Sequence, residues 1–320
     1  MSSLECSIVI TGYKDPEGLL RLLASCETLN YPRDKFEIIV VAGGLTEKSR
    51  QIIDYIEYNF AIKIFYLTDY GVRANARNSG LREAAGEKVL FLDSDLEVTP
   101  DLLMHHLLAY GDHAVGIMGD SLLPSFYRKR RWFTYLDNER LGARRLERNG
   151  ETPHPKLPYT FIRHGNFSVK REDALEIGGF DESQELDGFE ELEFAYRLEK
   201  AGRGYFKFNQ DALTLKHYRP LKETMKSMFG YGQKVVPYIE KKHPDTGRDL
   251  IGFYVRVPDN TTDSQGKVAR LCTTIAARKP FWWLARAGRL VLPQRFSYKM
   301  IQFMLFYQAV SGYRSSLKVE

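Results

Sequence analysis

Lys88-Val89-Leu90-Phe91-Leu92-Asp93-Ser94-Asp95 joins an apolar run to two carboxylates one residue apart. A run rich in Val, Leu and Phe reads as a buried strand, and in open α/β sheets ligands gather beyond the carboxyl ends of such strands. Two carboxylates at that edge can hold a divalent cation and, through it, a diphosphate. Asp-x-Asp alone is too short to be specific, so its place in the chain decides its weight.

Upstream, strand and helix alternate. Cys6 to Thr11 reads as a strand, and Pro16 to Cys26 places Leu19, Leu22, Leu23 and Cys26 at helical spacing after an Asp15-Pro16 start. Phe36 to Val41 and Ile62 to Leu67 are further strands, and Thr46 to Phe60 and Val72 to Ala85 are helices. This order predicts a mostly parallel, Rossmann-like central sheet with right-handed crossovers and helices on both faces. Downstream, Thr99-Pro100 opens a helix to Ala109, and Ala114 to Met118 is a strand. Leu122 to Pro158 has no clear period and holds eight basic residues between Arg128 and Arg148. It is expected to be a partly helical insertion or a mobile loop over the site. Order resumes with strand Asn166 to Val169, turn Gly178-Gly179, helix Phe189 to Ala201, and strands Gly204 to Phe208 and Ala212 to Lys216. Beyond Pro220 the chain reads as helical, basic and aromatic, with a linker near Pro258 to Gly266.

The 320 residues are 43% hydrophobic and 27% charged, which excludes a disordered chain and allows a full α/β domain with an appendage. The expected division is a catalytic domain over 1–240, with halves near 1–120 and 160–240, and a helical extension over 241–320. Cys6, Cys26 and Cys272 are odd in number and widely spaced, which argues against a disulfide framework and suits a reducing compartment. The first residues lack a basic n-region, so no secretory signal is expected, and Ile301 to Val310 is about half the ~20 residues a membrane span needs. The expected location is therefore cytoplasmic. The net charge of +5 is uneven: from Ser264 to Glu320 there are ten Lys or Arg and one acid, whereas Asp181 to Glu199 is acidic. Phe281-Trp282-Trp283-Leu284 among Arg278, Lys279, Arg286 and Arg289 suits a helix lying in an anionic interface, so peripheral membrane contact through 270–320 is preferred over a helical cap. No nucleic-acid partner is expected.

Several blocks follow one another along the chain. Asp69-Tyr70-Gly71-Val72-Arg73-Ala74-Asn75-Ala76-Arg77-Asn78-Ser79-Gly80 is followed by Ala84-Ala85-Gly86-Glu87 and the Asp93-Ser94-Asp95 strand. His164-Gly165-Asn166-Phe167, Gly178-Gly179-Phe180-Asp181-Glu182, Glu190-Glu191-Leu192-Glu193-Phe194-Ala195-Tyr196-Arg197-Leu198 and His217 come later. Over roughly residues 5 to 235 the chain resembles the family 2 glycosyltransferases. The resemblance implies the A-type glycosyltransferase fold (GT-A) and transfer of a sugar from a nucleotide-diphosphate sugar to a hydroxyl of a glycan or lipid-linked acceptor.

The residues suit that chemistry. Breaking a glycosyl phosphate bond puts charge on the departing diphosphate, and Mg²⁺ or Mn²⁺ held by Asp93 and Asp95 would neutralise it. Asp95 is the better direct ligand; Asp93 reaches the metal through water or binds the ribose. Inverting displacement needs a carboxylate to take the acceptor proton, and Glu190 and Glu191 sit at a helix N-terminus whose dipole favours negative charge. The resemblance makes Glu191 the base and Glu190 its neighbour on the acceptor or metal side, where the family usually has Glu-Asp or Asp-Asp. It also implies a metal or phosphate contact at His217 and a donor-sugar contact at Asn166. The Gly179-Phe180-Asp181 turn is expected to face the acceptor, and Arg77 and Ser94 to face the donor. Ala42-Gly43-Gly44-Leu45 replaces the family's usual Asp-Asp-Gly-Ser, so base recognition falls to backbone groups, Thr11, Tyr13, Glu47 or Asp69. Spacing alone makes Glu193 and Arg197 an i,i+4 ion pair.

Two rival functions fit less well. A nucleotidyltransferase would carry a Gly-rich, basic loop after the first strand, which Thr11-Gly12-Tyr13-Lys14-Asp15-Pro16 does not supply. An inactive binding module would not need Asp93, Asp95 and Glu191 intact. A processive polymerase would show Gln-x-x-Arg-Trp, where this chain has Tyr231-Gly232-Gln233-Lys234; a single-addition enzyme is expected.

Overall fold

The computed structural model describes residues 3–68, 73–111, 113–129, 131–136, 156–162, 165–183, 189–244 and 278–317. Asp69, the Pro258 to Gly266 linker, Cys272 and most of the Leu122 to Pro158 segment lie outside the described residues.

Two compact units divide the chain, one comprising 1–125 with 137–218, the other 126–136 with 219–320. The first is built on a sheet of nine strands among the described residues: β1 (Cys6–Tyr13), β2 (Phe36–Gly43), β3 (Ala61–Leu67), β4 (Lys88–Asp93), β5 (Leu96–Val98), β6 (Ala114–Leu122), β7 (Lys156–Leu157), β8 (Phe167–Lys170) and β9 (Tyr205–Lys216). They run in the order β3-β2-β1-β4-β8-β6-β9-β5, with β7 beside β9. β3, β2, β1 and β4 are mutually parallel, and β8 enters antiparallel between β4 and β6.

The parallel half follows from its sequence. β2 is buried along its whole length, as a strand covered on both faces must be. In β1, Ile8 and Ile10 pack on one face with Leu19, Leu22 and Leu23 of α1 (Pro16–Cys26), Ile53 of α2 (Glu47–Tyr55) and Leu102 and Leu103 of α4 (Leu102–Leu108). Val9 points the other way, toward Ala76 and Leu81 of α3 (Arg73–Glu83), Ala174 of α6 (Arg171–Glu176) and Phe194 and Leu198 of α7 (Glu190–Lys200). This period-two alternation gives the sheet a hydrophobic layer on each side.

Two glycines of the ordered blocks are explained by packing. A Cβ on Gly80 would lie 2.3 Å from Val9 Cγ1, and one on Gly86 would lie 2.4 Å from the Cys6 carbonyl carbon. Gly86 also donates its N–H to Ser7 Oγ at 2.8 Å, and Ser7 donates to Glu37 Oε1 at 2.8 Å. The Ala-x-Gly-Glu block thus closes the edge of the sheet opposite Asp93.

Some elements differ from expectation. Gly204 to Phe208 and Ala212 to Lys216 form one strand, β9, because its register against β6 shifts between Gly119 and Asp120 and a bulge absorbs the intervening polar residues. α2 stops at Tyr55 because Ile56 is already extended. β5, only three residues long, is too short to read from periodicity, yet its antiparallel pairing with β9 brings Leu96 opposite Lys216.

The second unit is helical. α5 (Arg131–Leu136), α8 (Leu221–Gly230), a π-helical turn (Tyr231–Val235), α9 (Val236–Lys242), α10 (Lys279–Val291) and α11 (Gln294–Ser316) compose it. The π turn precedes Pro237, which has no N–H to continue a regular ladder. α11 crosses the α8–π segment closely: a Cβ on Gly232 would lie 1.8 Å from the Ala309 carbonyl oxygen, and one on Gly312 would lie 2.0 Å from that of Phe229. Among the described residues, no helix is long and apolar enough to cross a membrane.

Candidate active site

The carboxyl ends of β1 and β4 lie side by side, with Thr11 opposite Asp93. The Ser94 N–H donates to the Thr11 carbonyl at 3.0 Å, and Ser94 Oγ donates to Asp15 Oδ2 at 2.9 Å. Asp15 also caps α1, its Oδ1 accepting the Gly18 N–H at 3.0 Å. The Asp-x-Asp turn is therefore tied to the start of α1. Tyr13, at the end of β1, is exposed, and the Lys14 ammonium lies 5.0 Å from its ring centroid.

Arg77 is the hub of the site. Its side chain is 1% exposed, yet it carries a full charge. Nη1 donates to Glu190 Oε1 at 2.9 Å, and Nη2 donates to Asp93 Oδ1 at 2.9 Å and to Glu191 Oε1 at 2.5 Å. Glu191 Oε1 also accepts the Gly165 N–H at 2.9 Å. Arg73, one helical turn earlier, stands 3.9 Å from Asp93 Oδ2 and 3.7 Å from Glu190 Oε1. β4, α3 and α7 thus converge on one guanidinium, and the turn before β8 reaches it through Glu191.

The electrostatics are uneven. Burial alone would push the Asp93 carboxyl up, but Arg77, Arg73 and Lys216 overcome it and hold the group well below the ordinary carboxylate range. Burial pushes Glu191 up; Arg77 offsets this only in part, because Asp93 and Glu190 add repulsion. Two carboxylates on one guanidinium are thereby driven apart in acidity.

Asn78 clamps the glycine turn. Its Nδ2 donates to the Phe180 carbonyl at 2.8 Å and to Glu182 Oε1 at 2.7 Å, while its Oδ1 accepts the Phe180 N–H at 2.7 Å. Gly179 has φ +70°, and a Cβ there would lie 2.4 Å from Asn78 Oδ1, so the turn needs glycine for both conformation and space. Arg197 ties the turn from the other side, donating to the Gly179 carbonyl at 2.6 Å while pairing with Glu193 at 2.9 Å, as their spacing predicts. The Phe180 ring is a core group, stacked 4.2 Å from Phe194 and edge-on to Phe91. Asp181 Oδ1 accepts from Ser183 N–H at 3.0 Å and Ser183 Oγ at 2.6 Å, a local turn.

The remaining expected positions divide. Asn166 is buried with φ +51°; its Nδ2 donates to the Asp120 and Ala212 carbonyls, and its Oδ1 lies 2.9 Å from His106 Nε2. His106 is driven by burial to a pKa of about 4 and stays neutral between Asn166 and Ser168. At the other edge, β5–β9 pairing brings Asp95 to Lys216, whose Nζ donates to Asp95 Oδ1 at 2.9 Å. The His217 N–H donates to the Asp95 carbonyl at 2.8 Å, and the His217 ring contacts Glu97. Asp69 lies outside the described residues.

Sequence reasoning did not single out Lys216, Arg73 or Glu182 as parts of the site. Lys216 had a signal: Ala212, Thr214 and Lys216 are in phase, and all three are buried.

The family described as Glycosyl transferase family 2 matches residues 7–177, and the N-terminal domain of galactosyltransferase matches 144–223. Among curated relatives, the uncharacterized glycosyltransferase YfnE of Bacillus subtilis is 22% identical over an alignment of 259 positions that covers 68% of this chain and 66% of the relative. The chondroitin synthase of Escherichia coli is 27% identical over an alignment of 269 positions that covers 74% of this chain and 38% of that protein. The chain thus spans less than two thirds of either relative. Among solved structures, the mannosyltransferase PcManGT from Pyrobaculum calidifontis, in complex with GDP-Man and Mn²⁺, superposes with a TM-score of 0.64 at 16% identity, covering 100% of this chain and 89% of that one. Staphylococcus aureus TarS 1-349 in complex with UDP superposes at 0.55 and 15% identity, covering 98% and 92%. These likenesses give the GT-A fold. The match over more than half of the chain, a span that includes Arg77 and Asp93, makes this protein a member of the family 2 glycosyltransferases.

Proposed function

We propose that the chain moves a sugar, with inversion, from a nucleotide-diphosphate sugar to a hydroxyl of a glycan or lipid-linked acceptor, with Glu191 as the base. The observation that supports this most is the convergence of Asp93, Glu190 and Glu191 on Arg77 beside the carboxyl ends of β1 and β4. In this reading the acceptor oxygen attacks the anomeric carbon from the side opposite the diphosphate. Its proton passes to a Glu191 carboxylate oxygen as the bond to the diphosphate oxygen breaks. Burial, which raises Glu191, makes it a stronger base than an exposed carboxylate, and the Gly165 N–H and Arg77 fix its orientation. Asp93, held ionised, offers a fixed negative group for the ribose or a metal-bound water.

A divalent cation fits one mode of binding. Among the described residues, no group of three or more His, Cys, Asp or Glu side chains could hold a metal ion alone. Mg²⁺ is nevertheless commonly held by one or two carboxylates plus substrate phosphates, and carboxylate oxygens suit Mn²⁺ equally. In this reading Asp95, partly exposed after β4, takes that role together with the donor diphosphate, with Asp93 and His217 as the further candidates. Such an ion, when bound, neutralises charge developing on the departing diphosphate. Lys216 adds a fixed positive charge to the same edge.

The test is transfer and donor hydrolysis across a panel of nucleotide sugars, with and without Mn²⁺, reading the product's anomeric configuration by NMR. A retained configuration, or full activity in Glu191→Gln, would overturn the assignment of the base. Full turnover without divalent ions would overturn the role of Asp95.

A further inference from the structure

α10 and α11 form a helical hairpin in the second unit. Ala285 and Gly288 of α10 face α11: Ala285 is buried, and a Cβ on Gly288 would lie 3.3 Å from Met300 Cγ. Ser297 Oγ donates to the Arg289 carbonyl at 2.7 Å, and the Trp282 and Tyr307 rings lie 6.3 Å apart. An ordinary surface helix would then turn polar groups outward. α10 does the reverse.

Trp283, Leu284, Ala287, Leu290 and Val291 follow i, i+1, i+4, i+7, i+8 spacing and share the face away from α11. Trp283 is 58% exposed, Leu284 67%, Leu290 60% and Val291 79%. Cations flank this stripe. Arg286 lies 5.1 Å from the Trp283 ring centroid, and Arg295 at the start of α11 lies 4.7 Å from that of the exposed Phe296. Arg278, Lys279 and Lys299 are exposed as well, and neither helix contains an Asp or Glu.

We propose that α10 lies in the interface of an anionic lipid bilayer, its Trp283–Val291 stripe dipping among the acyl chains and its Arg and Lys residues meeting lipid phosphates. The thirteen residues of α10 measure only ~20 Å, short of the ~30 Å hydrocarbon core. It therefore lies along the surface rather than across it. Charge decides against a second copy as the occupant: packing two such faces together would oppose Arg286 and its neighbours to themselves, whereas anionic headgroups complement them. This reading is independent of the transfer chemistry.

Flotation of the full chain with phosphatidylglycerol–phosphatidylcholine vesicles, compared with phosphatidylcholine alone, tests it. The expected result is binding to the anionic vesicles, weakened by salt, with a blue shift of tryptophan emission. Leu290→Glu with Val291→Glu, both outward-facing, should lower partitioning at least about tenfold while leaving donor hydrolysis intact. Undiminished flotation of that variant overturns the proposal. So does a salt-resistant dimer in light scattering that the same pair abolishes, since the face would then belong to a second copy. Should the double variant fail to fold, the wild-type chain still decides: the absence of both flotation and a blue shift with anionic vesicles overturns the proposal.

Discussion

Arg77 Nη2 lies 2.5 Å from Glu191 Oε1, and the same nitrogen lies 2.9 Å from Asp93 Oδ1. Residues 16 and 114 positions away in sequence therefore share one donor. With Glu190 on Nη1, three carboxylates meet one buried guanidinium, and Arg73 supplies a second positive charge from the edge. The arrangement assembles the acids and depends on the arginine for its stability.

Arg77→Met should therefore destabilise the first unit by about 3–5 kcal/mol, the usual cost of leaving buried charges without their partner. Urea unfolding measures it. Arg77→Lys keeps the charge but loses the planar fork, so it should fall between wild type and Arg77→Met. A loss in Arg77→Met below about 1 kcal/mol would mean that the carboxylates are relieved by protons or water.

As the proposed base, the raised Glu191 should set the acid limb of the rate profile. A base acts in its ionised form, so kcat/KM should fall as pH drops through the Glu191 pKa, with a midpoint above the ordinary carboxylate value of about 4.3. Glu190→Gln removes one of the negative charges that raise it, and the limb should move to lower pH. Asp93 works with the opposite sign on stability: its depressed pKa stabilises the fold above about pH 3.9 and that contribution is lost as pH falls through the folded value. A limb that stays in place in Glu190→Gln would separate the two carboxylates electrically.

Neighbouring glycines separate strain from collision. Gly178 and Gly179 both have positive φ, +82° and +70°, but a Cβ on Gly178 meets nothing within 4 Å, whereas one on Gly179 meets Asn78. Gly178→Ala should cost about 1–2 kcal/mol from conformation alone. Gly179→Ala should cost more, in total about 2–4 kcal/mol, and should lower activity by displacing the Asn78 clamp. Denaturant midpoints of the two variants compare them directly.

Periodicity made the parallel half of the sheet legible, because α1 repeats every three to four residues and β1 and β2 are short apolar runs between turns. The ordered blocks pointed to Asp93 and Glu191, but local pattern could not say that Arg77 joins them, since that contact depends on how α3 and α7 pack on the same sheet face. Asn78 is similar: its place beside Arg77 on the same helix suits a residue that reaches the cleft edge, but its hold on Phe180 depends on how the Gly178-Gly179 turn folds onto α3. β5 was hidden for another reason. Three residues carry no period, and their pairing with β9 is non-local.

That non-local pairing carries the last prediction. Lys216 is 5% exposed, and its ammonium sits on Asp95, the carboxylate proposed to take a divalent ion. A cation arriving there must share Asp95 with a positive charge that cannot retreat into solvent. Two like charges about 5 Å apart repel appreciably even at an effective dielectric near 20. Lys216→Met should therefore tighten Mn²⁺ binding at least about tenfold, measured by electron paramagnetic resonance of free Mn²⁺ in the presence of the preferred nucleoside diphosphate. The same variant should lose turnover at saturating Mn²⁺, because the departing diphosphate then has one positive charge fewer beside Asp95. Unchanged Mn²⁺ affinity would place the ion away from Asp95, and unchanged turnover would limit Lys216 to holding the β5–β9 turn in place.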